Sequence, residues 1–244
     1  MIPASTLYLG AAGVAAVVFL GLVGWLTRID PESRRVCGVV AGIVGFSSVA
    51  YLMLGLGIGT VSVAGGTVAA PYLIENVVAY TGFYVIAGGL AGASRRLIGA
   101  AAGVSVVQRI AFELPNAGYL DGAGALAAAG VVVGGWFVIL WLFVGPIWDA
   151  AESVAPRRRL LHWKCRNLLL FLIGMLIVYA MCSLAGLLDP FVNTLINVYI
   201  NLLIRVGIAG FLFVNAADIA VDDAEGGAAE VDPSRPAASG ASSA

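Results

Sequence analysis

Hydrophobic residues fill this chain in long continuous runs separated by short polar connectors, and they do not alternate with polar residues. Alternation would mark half-buried or barrel strands. Continuous runs of about 20 apolar residues mark helices that can cross a bilayer. Such runs cover about 5–27, 34–60, 71–93, 95–114, 122–147, 164–188 and 190–214. The connectors carry turn chemistry: Ile29-Asp30-Pro31 after the first run, Gly65-Gly66-Thr67 after the second, Pro115-Asn116-Ala117-Gly118 after the fourth, and Asp189-Pro190 before the seventh. The pattern predicts an all-α membrane protein, a seven-transmembrane-helix bundle.

Composition supports this and excludes a soluble domain. Hydrophobic residues make up 61% of the chain and charged ones 11%, against roughly 45–50% and about 25% in soluble proteins. The few cations also alternate with the spans. Arg28, Arg34 and Arg35 flank the first connection, Arg95 and Arg96 the third, and Arg157, Arg158, Arg159, Lys164 and Arg166 the fifth, while the second, fourth and sixth contain no Lys or Arg. By the positive-inside rule the N-terminus is then outside and the C-terminus cytoplasmic, in a multi-pass protein of the cell (plasma) membrane. Trp25, Trp148 and Trp163 fall at the cytoplasmic ends of their spans, as an interfacial belt would. No Lys or Arg precedes the first run, so it reads as a retained span and not as a cleaved leader. The expected organisation is a transmembrane domain over 1–217 and a disordered cytoplasmic tail, rich in Ala, Gly, Ser, Pro and acids, over 218–244.

Chemistry-bearing residues are sparse. Cys37, Cys165 and Cys182 share no metal-ligand spacing and read as small hydrophobes, and His162 reads as a solvated side chain in a basic loop. No metal site, phosphate loop or nucleic-acid motif is found. Ser47, Ser48 and Ser105 read as packing residues, because no base or paired acid accompanies them, so an enzyme is not expected.

The exception is the seventh span. Charge at the bilayer centre costs at least about 2.5–3.5 kcal/mol, which makes an intramembrane ionisable residue a functional candidate. Asn193, Asn197, Asn201 and Arg205 recur every four residues and share one helix face. Two readings stand together: an inter-helix hydrogen-bond stripe with the Arg tip snorkelling toward the cytoplasm, and a polar cavity around a permanent cation, completed by Glu75 and Asn76. Glu75 enters from the outer surface while Arg205 lies about 15 residues, roughly 22 Å, down its helix. A direct contact is therefore not expected, and a water or Tyr should intervene. Arg109 and Glu113, four apart, are expected to pair. Gly88 with Gly92, Gly99 with Gly103, and Gly130 with Gly134 have the spacing that lets helices approach closely, within the bundle or in a homo-oligomer.

The sequence resembles the microbial rhodopsin family, in particular its haloarchaeal, bacteriorhodopsin-like branch. Ala151-Glu152-Ser153-Val154-Ala155-Pro156 with Arg166-Asn167 matches the signature between its fifth and sixth helices. The seventh span follows the family pattern without a gap through Thr194, Leu195 and Val206-Gly207-Ile208-Ala209-Gly210. Pro31, Tyr51-Leu52 and Gly65-Gly66 match earlier regions, and the similarity covers about 5–215.

In that family a Lys of the seventh helix forms a Schiff base with retinal, and an Asp four residues before it is the counterion. The resemblance places Arg205 and Asn201 at these positions. Imine formation needs a neutral amine, and a guanidinium stays protonated. The third span offers no acidic acceptor beyond Glu75, and the ring-enclosing positions of the sixth fall on Ile173, Leu176, Ile177 and Ala180. The expectation is an opsin-like protein with no covalent retinal and no light-driven pumping, acting in a regulatory, sensory or assembly role through another membrane protein or a second copy of itself. Two alternatives stay open. One is a noncovalent retinoid, carotenoid or lipid sensor with a pocket at Tyr51, Tyr80, Tyr179 and Tyr199, sharpest for a carboxylate-bearing ligand that would meet Arg205. The other is a passive anion pathway along the Asn stripe.

Overall fold

Seven helical segments are long and apolar enough to cross a membrane, and they make this a multi-pass membrane protein. The computed structural model describes residues 3–63 and 65–219; the stretch from 220 onward, read above as a tail, lies outside the described residues. The elements are α1 (Ala4–Leu26), α2 (Pro31–Gly55), β1 (Thr60–Val63), β2 (Gly66–Ala69), α3 (Ala70–Leu90), α4 (Arg95–Asn116), α5 (Gly122–Val144), α6 (Pro146–Ala151), α7 (Pro156–Leu184), α8 (Pro190–Val214) and a closing 3-10 turn (Ala216–Asp218). Asp218 belongs to that turn and Ile219 packs on the core.

Prolines set several helix starts. Pro31, Pro146, Pro156 and Pro190 each occupy a first helical position, where a missing N–H is not needed and the fixed φ already suits the helix. Asp189 also caps α8, its carboxylate accepting from the N–H groups of Phe191 (3.0 Å) and Val192 (3.1 Å).

Two expected boundaries move because hydropathy locates a span and not the helix that contains it. α7 begins at Pro156, eight residues before the expected 164, since Arg, Leu and Lys continue a helix into water as readily as Leu does in lipid. His162 is therefore not a solvated loop residue. It is fully buried, its Nδ1 lies 2.9 Å from the Ala87 carbonyl oxygen, and its ring stacks on Phe143 and Trp148.

α2, in turn, stops at Gly55 and not near 60. Gly57 and Gly59 take positive φ of 71° and 85°, and an antiparallel hairpin follows with Val61 opposite Val68 and Ser62 opposite Thr67. The β-branched residues on both sides of Gly65-Gly66 favour strands. The hairpin folds onto the α4–α5 turn, where the Thr67 N–H donates to the Ala117 carbonyl at 2.9 Å. Gly66 permits that approach, because a Cβ there would lie 2.6 Å from the Ala117 oxygen.

Each membrane-length helix packs on the next one along the chain, and α8 closes the ring against α1 and α7 while touching α2. Tyr80, Phe83, Tyr84, Phe143, Leu169 and Ile204 fill the interior. Large apolar side chains such as Val17, Leu20, Trp141, Phe171 and Val178 face outward, an arrangement suited to lipid as the outer solvent. The basic connections gather at one end and the hairpin at the other. Of the glycine pairs, Gly88 lies inside the bundle against Ile98, whereas Gly99, Gly103, Gly130 and Gly134 have open space before them.

Candidate functional site

The four-residue stripe of α8 faces a matching stripe on α3, where Tyr72, Asn76 and Tyr80 are also spaced four apart. Two helices with polar groups at the same period can bond rung by rung along their contact. Tyr179 on α7 donates to Asn193 Oδ1 (2.8 Å) and accepts from Asn197 Nδ2 (3.0 Å). Tyr72 donates to Asn197 Oδ1 at 2.7 Å, Asn201 Nδ2 donates to the same oxygen at 2.7 Å, and Tyr80 donates to Asn201 Oδ1.

The chain of bonds ends on Arg205. Its Nη1 donates to the Asn201 carbonyl oxygen (2.7 Å) and Oδ1 (3.0 Å), and its Nη2 to Asn76 Oδ1 (2.9 Å) and to Glu75 Oε2. Its Nε donates to Ser47 Oγ (3.0 Å) and Glu75 Oε1. The Ser47 hydroxyl in turn donates to the Glu75 carboxylate. All five guanidinium N–H groups thus have acceptors, and both carboxylate oxygens are bonded. Arg205 is 0% and Glu75 1% exposed. A buried ion pair in hydrocarbon needs such saturation, since the desolvation of two charges is offset only when geometry and hydrogen bonding are both complete.

This overturns two expectations. Glu75 contacts Arg205 directly, with no water or Tyr between them. The separation of roughly 22 Å assumed that α3 and α8 begin at one level, yet Tyr72, third in α3, bonds Asn197, eighth in α8. α3 therefore starts some five residues, about 7.5 Å, deeper, and the Arg side chain, leaning toward the N-terminus of its helix, covers the rest. Nor does Arg205 snorkel toward the basic end.

Arg109 and Glu113 form no ion pair among the described residues. The Arg109 guanidinium lies 4.2 Å from the Tyr80 ring centroid, and that of Arg205 lies 5.4 Å from the same ring. The four tyrosines expected to line one pocket are not brought together. Tyr80 and Tyr179 join the network, Tyr51 is buried against the Tyr8 ring, and Tyr199 is 64% exposed on the outer face. Ser47 and Tyr72 were missed, although the 72–76–80 spacing was the available signal for Tyr72. No group of three His, Cys, Asp or Glu side chains suited to a metal occurs among the described residues.

No protein-family model matches the chain. Sensory rhodopsin-2 of Natronomonas pharaonis is 29% identical over 226 residues, spanning 84% of this chain and 90% of that protein. Among solved structures, a cyanorhodopsin from the cyanobacterium Calothrix superposes with a TM-score of 0.79 at 16% identity, covering 90% of this chain and 98% of that one. The thermophilic rhodopsin of Rubrobacter xylanophilus gives 0.77 at 19%, covering 89% and 98%. A sequence relationship that runs nearly end to end, on the same seven-helix ring, makes this chain similar to the microbial rhodopsins in sequence and fold.

Proposed function

We propose that this protein is a retinal-free relative of the microbial rhodopsins, neither a light-driven pump nor an enzyme, which uses the seven-helix scaffold in a regulatory, sensory or assembly role through contact with other membrane proteins. The observation that carries the reading is the closed pair of Arg205 and Glu75 at the position the resemblance assigns to the retinal lysine. The only lysine in the sequence, Lys164, is exposed at the basic end of α7. An arginine cannot replace it, because a guanidinium offers no free amine to an aldehyde.

The same pair withdraws support from the two alternatives. A carboxylate ligand or a permeating anion would need an uncompensated cation, and Arg205 is already neutralised with every donor in use. A signalling role finds support in the similarity to a protein named a sensory rhodopsin. The basic end is taken as cytoplasmic by the positive-inside rule. Proteoliposomes test the proposal: the protein, supplied with all-trans retinal, should give no light-dependent pH change and no chloride flux above empty vesicles. Either signal would overturn it.

A further inference from the structure

At the hairpin end a cavity of about 260 Å³ lies among α1, α3, α4, α7 and α8 beside β2, outside the Arg205 pair. Tyr72, Tyr179 and Asn197 form part of its lining, the exposed Thr67 and Asn116 stand at its rim, and Glu113 contributes the single charged group. The space is many times the roughly 10–15 Å³ that one water requires. Glu113 Oε1 is buried from solvent and has no hydrogen-bond partner. Arg109, one turn earlier, rests on the Tyr80 ring and forms no ion pair with this carboxylate, although its charge acts on it through space.

Three of the donors around Glu113 are directed elsewhere. Tyr72 and Tyr179 give their hydroxyl protons to Asn197 and Asn193, and Asn116 gives an amide proton to the Phe112 carbonyl oxygen at 2.7 Å. Glu113 Oε1 is left as an acceptor without a donor, and its carboxylate is the cavity's one charged group. The surrounding end of the molecule has the same sign: its connections hold exposed Asp121 and Asp189 and no Lys or Arg. Such a surface concentrates cations at the mouth, and a carboxylate oxygen buried without a partner is costly until a positive charge joins it.

We propose that this cavity binds a small monovalent cation, an alkali-metal ion or a primary ammonium, with Glu113 as its charge partner. One carboxylate among neutral oxygens matches a single positive charge and leaves a divalent ion undercompensated.

The test is thermal unfolding of the full-length protein in lipid nanodiscs at constant ionic strength, in chloride salts of sodium, potassium, methylammonium or the bulky N-methyl-D-glucamine. Sodium, potassium or methylammonium should raise Tm saturably by about 2 to 4 °C over the bulky cation, and Glu113→Gln should abolish the increment. A rise with the metal ions alone identifies an inorganic ligand, and one with methylammonium alone an organic amine. Should Glu113→Gln fail to fold, sodium-23 NMR on the wild type decides, through line broadening that excess methylammonium or potassium reverses. Equal Tm in all four salts with no broadening overturns the proposal, as does an increment that survives in Glu113→Gln.

Discussion

The Glu75 carboxylate and the Arg205 guanidinium, 130 residues apart in sequence, meet as a two-pronged pair at the contact of α3 with α8, both sealed from solvent. Ser47 from α2 and Asn76 and Asn201 from the two facing stripes complete the set. Three helices are thereby tied by charge-assisted bonds at one point.

Breaking one side of the pair should be worse than removing both. Glu75→Gln leaves a permanent cation buried without compensation and should lower unfolding stability by about 3–5 kcal/mol. The double variant Glu75→Gln/Arg205→Met should lose clearly less than the sum of the single losses, with a coupling of about 1–3 kcal/mol. Denaturation followed by circular dichroism measures this, and additive losses would show that the two side chains do not depend on each other.

Tyr80 separates hydroxyl from ring. Tyr80→Phe deletes only the bond to Asn201 and should cost about 1 kcal/mol. Tyr80→Ala also removes the surface on which Arg109 and Arg205 rest and should cost about 3–5 kcal/mol. Comparable losses from the two changes would mean that the ring contacts contribute little.

Adjacent glycines on α5 should respond in opposite ways. A Cβ at Gly135 would lie 2.5 Å from Gln108 Cγ, whereas Gly134 has nothing within 4 Å. Gly135→Ala should destabilise by about 1–3 kcal/mol. Gly134→Ala should be neutral or stabilise by up to about 1 kcal/mol. The reverse order in thermal unfolding would contradict the packing of α4 on α5.

Span number, the α8 stripe and the family likeness were all legible from the sequence, because a 20-residue apolar run and a four-residue polar period are local signals. The hairpin was not, since four-residue strands beside Gly65-Gly66 read equally well as a connector. The Glu75–Arg205 contact was hidden for another reason: it depends on how deep α3 starts relative to α8, a tertiary offset that no single helix encodes. Tyr199 illustrates the same gap, because composition names the tyrosines but not which of them face lipid.

Glu75 also makes Arg205→Lys informative. The substitution puts a primary amine within reach of a carboxylate able to balance a protonated imine. With all-trans retinal this variant should gain a visible absorption band that hydroxylamine bleaches; a colourless, folded variant would argue against the assignment of position 205 to the retinal lysine.

The most direct measurement is on the unaltered chain. Expressed and purified with all-trans retinal, it should show no visible absorption band and an intact mass without a retinylidene adduct. A visible pigment together with that added mass, on any side chain, would contradict the account.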